Sequence, residues 1–266
     1  MLVCFEIITG CASLELYNHG CEKAKFNNNA YLSKQELPDS ITLLPPPPAD
    51  YSMAMVLDEE IRKESLALRY TPRWKQAIND AQLDLDQPQN AAETFSCALG
   101  VSINKKNTKK LFELLEKIRN DAGNSTNGAK EKYCRPRPFM ATEDKDICTT
   151  GEKDPLIKNG SYPSGHTAIG WAWALVLAEI SPDQTNAILA RGLAFGESRI
   201  VCNVHWQSDV IGGRVMGSAV IDRLHANSAF LKDVKDAKQE LEDFRNTPEG
   251  RLKPPNCEAE TATLFH

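Results

Sequence analysis

At 266 residues, with 41% hydrophobic and 25% charged side chains, the chain has ordinary globular composition and the size of one compact domain with short extensions. A net charge of −5 without a standout basic run excludes a nucleic-acid-binding surface and fits a locally cationic pocket for a small anion. No stretch approaches the roughly 20 apolar residues of a membrane-spanning helix, so no membrane span is expected.

Residues 1–36 read as a leader-like or irregular segment. Met1 to Leu16 is fairly apolar, but it has no Lys or Arg and Glu6 breaks it, which makes an imperfect export signal. Ile8-Thr9-Gly10-Cys11 offers a second reading, a lipoprotein cleavage site with a lipid anchor on Cys11. The main domain is expected over 37–250. Pro45 to Pro48 forms an extended polyproline stretch, after which nearly every segment has helical period. Helices are expected over Met53–Arg69, over Arg73–Leu83 behind Thr71-Pro72, over Asn90–Leu99, and over Thr108–Asp121 with Leu111, Leu114, Leu115 and Ile118 at helical spacing. A turn at Asn124–Asn127 leads into a short helix over Ala129–Tyr133, which Pro136 and Pro138 must end.

Residues 139–162 read as a long polar loop, of the kind that is often functional. Four helices follow: Ser164–Glu179, strongly apolar; Asp183–Phe195; His205–Ala226, where Gly213 and Gly217 are spaced for a close crossing; and Asn227–Arg245. Residues 251–266 read as an irregular tail. With no strand alternation and no repeat, the fold class is all-α, a single helical bundle. The eight cysteines include no Cys-x-x-Cys pair, so zinc or thioredoxin-like chemistry has little support. One or two disulfides are expected in an oxidising compartment, with Cys134–Cys148 as the candidate pair, although sequence alone leaves the pairing open.

Three clusters carry the chemistry. Lys130 with Arg137-Pro138 reads Lys-x6-Arg-Pro, followed by Pro163-Ser164-Gly165-His166 and then by Ser198-Arg199 with His205 and Asp209. A hydroxyl and a glycine opening a helix offer free N–H groups and a positive dipole end to an anion. His205 and Asp209, four apart, share a face if helical, and the carboxylate would then fix the ring tautomer that leaves the other nitrogen nucleophilic. Taken singly, Ser164 is an ordinary helix cap, the His–Asp pair a surface pair, and Lys130 and Arg137 solvated surface. Arg137 stands between two prolines, which hold its backbone; Arg135 is its rival, and the spacing favours Arg137.

Together the clusters resemble the signature of the acid phosphatase and vanadium haloperoxidase superfamily, which includes the type 2 phosphatidic acid phosphatases. Asn159 to Thr167, Leu43-Leu44 before the prolines, Lys130-Glu131-Lys132-Tyr133 and His205-Trp206-Gln207-Ser208-Asp209 resemble the class A bacterial non-specific acid phosphatases in particular. The resemblance implies that Lys130, Arg137, Ser164, the Gly165 N–H and Arg199 hold a phosphate. It implies further that His205, oriented by Asp209, attacks phosphorus to form a phosphohistidine, and that His166 protonates the leaving alcohol. It implies broad phosphomonoester substrates, possible transfer to alcohol acceptors, no metal, no other cofactor, a homodimer, and a periplasmic or secreted location. Vanadate-dependent haloperoxidase is the alternative on the same pocket. The chain departs from the pattern at Asn203-Val204, where glycine and tyrosine are common, and at Ile211-Gly212-Gly213, where another acidic residue and alanines are common.

Overall fold

The apolar run that opens after Ser164 becomes the central helix of the protein. In the computed structural model, which describes residues 21–87 and 90–264, the architecture is all-helical, without a β-strand among the described residues. Nine helices make the frame: α1 (Met53–Ser65), α2 (Pro72–Ala81), α3 (Lys109–Ser125), α4 (Asn127–Tyr133), α5 (Gly165–Ile180), α6 (Thr185–Val201), α7 (Gln207–Leu224), α8 (Ser228–Arg245) and α9 (Cys257–Leu264). Helix α5 is apolar nearly all round, with Ala168, Ala172, Trp173, Val176 and Leu177 fully buried, so it must be surrounded. It packs most extensively on α7 and α6, and then on α3 and α8.

Small residues make the α5–α7 crossing close. A Cβ added at Gly213 would lie 2.6 Å from the Ser164 carbonyl oxygen, and one at Gly217 2.6 Å from that of Ala168. The expected close crossing is therefore present. At Gly213 this backbone approach has no room for a methyl group. Behind α5, Phe95, Trp173 and Phe195 pack ring against ring, and the Trp173 indole donates to the Leu115 carbonyl at 2.8 Å.

Several local expectations change. The expected turn at 124–127 shrinks to a single joint at Thr126 between α3 and α4. The 90–99 helix divides into a 3₁₀ turn, Glu93–Phe95, and a short helix, Ser96–Leu99, that ends at left-handed Gly100. The 139–162 loop contains a 3₁₀ turn at Thr150–Glu152 and helix Lys153–Ile157, preceded by the short helix Pro138–Ala141. Where an irregular tail is expected, α9 packs on α2.

The cysteine pairing is corrected. Cys134 bonds to Cys21 and Cys148 to Cys202, so the Cys134–Cys148 pair does not form, and a third bond joins Cys97 to Cys257. Each partner is distant in sequence, with separations of 113, 54 and 160 residues, so only the packed fold brings it near. Cys21 belongs with the body: the Ala24 N–H donates to Glu131 on α4, and residues 27–32 run along α3, where Asp121 accepts the Tyr31 and Leu32 N–H groups at 3.0 Å each. Met1 to Leu16 and the Cys11 site lie outside the described residues. No helix among the described residues is long and apolar enough to cross a membrane.

Candidate active site

Three local turns aim the three clusters at one place. Helix α4 carries buried Lys130, whose ammonium donates to the Gly160 carbonyl at 2.6 Å. Arg137 caps the short helix behind it in extended backbone, as its flanking prolines require. Its guanidinium donates to the carbonyls of Leu156 (2.9 Å) and Val204 (3.0 Å), and its Nη1 lies 3.0 Å from His205 Nε2.

Ser164 is the N-cap of α5, its Oγ accepting from the Thr167 N–H at 3.3 Å and the Thr167 hydroxyl at 2.9 Å. The Ser164 N–H donates to the Asp209 carbonyl at 2.9 Å, which ties the second cluster directly to the third. Gly165 is the first helical residue. A Cβ there would meet only Thr126 Oγ1 at 3.6 Å and Lys130 Cε at 3.8 Å, ordinary contacts, so packing within the protein does not demand a glycine. His166 lies 3.0 Å from the Ala81 carbonyl through Nε2; a carbonyl only accepts, so Nε2 carries the proton and Nδ1 is the free ring nitrogen.

Arg199 lies in the last turn of α6, and its carbonyl accepts the N–H groups of Val204 and His205 at 3.2 Å each. The chain reverses through Asn203 at φ 58°, a left-handed conformation that asparagine tolerates better than most side chains. Ser198, adjacent to Arg199 in sequence, points elsewhere: it bonds to Asp80 and to Arg73.

The expected helix over 205–226 begins at Gln207, so His205 and Asp209 do not share a helical face. Asp209 sits instead in the first turn of α7, and its Oδ2 reaches back to accept the Trp206 N–H at 2.9 Å, as a capping carboxylate does. The same oxygen lies 3.2 Å from Nδ1 of His205, just outside the helix. The expected contact exists, by a different geometry. Arg135 stands behind the pair, its Nη1 donating to Asp209 Oδ1 at 2.6 Å and its Nη2 to Asp58 Oδ2 at 2.8 Å. Asp58, on α1, has no local sequence signal that would connect it to His205.

Lys130, Arg137, Gly165, His166 and His205 line one pocket of about 710 Å³. Leu83, Ile169, Pro155 and Leu156 form apolar walls, and Lys25, Arg119 and Glu152 also line it. Burial and the neighbouring Arg137 push the Lys130 ammonium well below the ordinary lysine range. Burial likewise brings Arg137 down to about 9 and Arg199 down to about 10. Both histidines are pushed well below the ordinary value, first by burial; His166 then feels Arg199, and His205 feels Arg137, Lys130 and Arg199. Arg199 is fully buried, and its Nε, Nη1 and Nη2 have no hydrogen-bond partner among the described residues. Lys130, Arg137 and Arg199 thus gather three cations, and an anion with several oxygens would satisfy the unpartnered nitrogens of Arg199.

The PAP2 superfamily model matches residues 120–228, a span that contains all three clusters. The chain is 45% identical over 212 residues to the non-specific acid phosphatase of Providencia stuartii, covering 79% of this chain and 84% of that protein. It is 39% identical over 215 residues to the non-specific acid phosphatase of Salmonella typhimurium, covering 80% and 84%. It is 38% identical over 217 residues to the acid phosphatase of Zymomonas mobilis, covering 80% and 81%. With this likeness over most of both chains, and the three clusters converging on one cationic pocket, the protein belongs to the PAP2 superfamily, with the bacterial non-specific acid phosphatases.

Proposed function

We propose that the protein is a class A acid phosphatase that hydrolyses phosphomonoesters through a phosphohistidine on His205. The observation that carries this reading is Arg199: a fully buried guanidinium without partners among the described residues is costly unless a ligand completes it. Arg199, Arg137 and Lys130 neutralise the phosphate, and Ser164 and the Gly165 N–H at the α5 N-terminus complete the cradle. Asp209 accepts from Nδ1–H of His205, which leaves Nε2 with its lone pair. In the free protein Arg137 Nη1 lies against that nitrogen; a phosphate that draws the guanidinium to its own oxygens frees Nε2 to attack.

The P–N bond forms as the ester P–O bond breaks, and Nδ1–H of protonated His166 supplies the proton to the leaving alcohol. A water then attacks phosphorus, loses its proton to Nδ1 of His166, and the P–N bond breaks. His166 must be protonated and His205 neutral. Because burial and the nearby cations push both histidines down, the productive state lies on the acid side of neutrality. Relatives named as acid phosphatases favour hydrolysis over the haloperoxidase alternative. An alcohol that replaces water in the second step makes the enzyme a phosphotransferase.

Three disulfides among the described residues suit an oxidising compartment, which supports a periplasmic or secreted location. The exposed Tyr51, Met53 and Leu57 support a homodimer, checked by light scattering at graded concentrations. The deciding experiment is turnover of a phosphomonoester panel with EDTA and with vanadate. Metal-independent turnover with vanadate inhibition is expected, and His205→Ala is inactive but folded. Activity lost to EDTA and restored by magnesium, or full activity in His205→Ala, overturns the mechanism.

A further inference from the structure

The pocket accounts for one side of His205; what stands behind Asp209 raises a separate question. A buried aspartate beside an imidazole stabilises the imidazolium, and a protonated His205 has no lone pair to attack with. At acid pH this is a difficulty, because ordinary histidine is then largely charged.

The structure places a counter-charge on Asp209 from behind. Arg135 Nη1 donates to Asp209 Oδ1 at 2.6 Å, shorter than the 3.2 Å between Asp209 Oδ2 and His205 Nδ1. Arg135 is held in turn: Nη2 donates to Asp58 Oδ2 at 2.8 Å, Nη1 reaches Ser208 Oγ at 2.7 Å, and the guanidinium lies 5.5 Å over the Trp206 ring. Asp58 also accepts the Ser208 N–H at 2.8 Å and its hydroxyl at 2.5 Å, so α1 is clamped to the first turn of α7. Asp58, Arg135, Asp209 and His205 are 2%, 7%, 0% and 2% exposed, so water screens none of these contacts well.

We propose that Arg135, held by Asp58, is a positioning residue that pins and neutralises Asp209 and thereby keeps His205 a neutral nucleophile under acid conditions. The inference rests on the reading of His205 as nucleophile. The other charged and titratable groups about His205 are Lys130 on α4, Arg137 before the short helix Pro138–Ala141, Arg199 on α6, His166 on α5 and Glu152 at the pocket lining. The cations of that set already disfavour the imidazolium from the pocket side. Among the described residues Asp209 is the carboxylate that touches His205, and Arg135 offsets it.

The test is kcat/KM against pH for p-nitrophenyl phosphate, with a melting temperature for each full-length variant. Below the acid limb the rate follows the neutral fraction of His205. Removing the positive charge in Arg135→Gln favours the imidazolium, so the limb moves to higher pH, by about one unit, with about a tenfold loss below it. Arg135→Lys keeps the charge and leaves the limb in place; Asp58→Asn removes an anion and does not move it upward. If Arg135→Gln does not fold, the double variant Arg135→Gln/Asp58→Asn, which leaves no unpaired buried carboxylate at 58, is expected to show the upward shift. An unmoved limb in the folded Gln variant, or an equal upward shift in Arg135→Lys, overturns the proposal. His205→Ala in the same panel separates the two readings: if it stays active, the nucleophile assignment fails. If it is inactive while the Arg135→Gln limb is unmoved, only the role of Arg135 fails.

Discussion

Arg199→Met exposes the tension between fold and site. The guanidinium is fully buried and its three nitrogens have no partner among the described residues, while burial lowers it to about 10. Relative to an exposed arginine, that depression corresponds to a cost of about 3 kcal/mol in the free protein, at about 1.4 kcal/mol per tenfold. A base with a depressed folded value is disfavoured wherever it is charged, so the cost is present at every pH below about 10. Methionine fills similar volume without charge, and such replacements of buried ions often stabilise by about 1–4 kcal/mol. Arg199→Met is therefore expected to unfold at higher denaturant concentration than the parent at both pH 5 and pH 7. Turnover should fall by about 10²–10³-fold, the usual loss when one preorganised donor to a developing anion is removed. Inorganic phosphate supplies a third reading: at about a hundredfold over Kd it stabilises the parent by about 2.7 kcal/mol, and the variant by much less. A variant that is less stable than the parent, still active and still stabilised by phosphate would refute the reasoning, since the guanidinium would then serve the fold.

Other consequences are equally direct. Gly165→Ala has room within the protein and should keep its stability within about 0.5 kcal/mol, while the new methyl crowds the phosphate cradle and lowers kcat/KM more than about tenfold; unchanged kinetics would argue that no anion approaches that N–H. Burial pushes Asp121 up to about 6 from 3.8, even though it accepts the Tyr31 and Leu32 N–H groups. A carboxyl raised on folding contributes stability that is present below about 4 and lost as pH rises through about 6. Unfolding free energies should thus show the parent gaining about 2 kcal/mol relative to Asp121→Asn between pH 7 and pH 4; parallel curves would sink this. Glu152 lines the pocket with an Oε2 that has no partner among the described residues, so Glu152→Gln should lower the Ki of inorganic phosphate at pH 7 by about three- to tenfold, and an unchanged Ki would place the carboxylate away from the anion.

Much of the frame is legible along the chain because helical period and caps are local. The apolar continuity of α5, the leucine spacing of α3 and the paired glycines of α7 each carry their own structural consequence. Boundaries fail where a tertiary contact takes over. His205 lies outside α7 because Asp209 turns back onto the Trp206 N–H, and the tail is helical where the Cys97–Cys257 bond and the Arg191–Glu260 ion pair hold it. Ser198 and Arg199, adjacent in sequence, project to different networks, which periodicity cannot reveal because both side chains are fully buried.

The sequence by itself determined the inventory of the pocket: which cations, which two histidines, which hydroxyl and which glycine, each in a turn or cap that is locally specified. The tertiary structure alone decided which groups are left without partners, which carboxylate is neutralised from behind, and which cysteines meet. Arg137 and Arg135 are two residues apart, yet one faces His205 across the pocket and the other holds Asp209 behind it. Asp58 joins them from 150 residues before Ser208, a contact that no spacing rule reaches. The physical reason is burial: a charge takes its role from what remains to pair with it after water is excluded, and only the packed chain settles that.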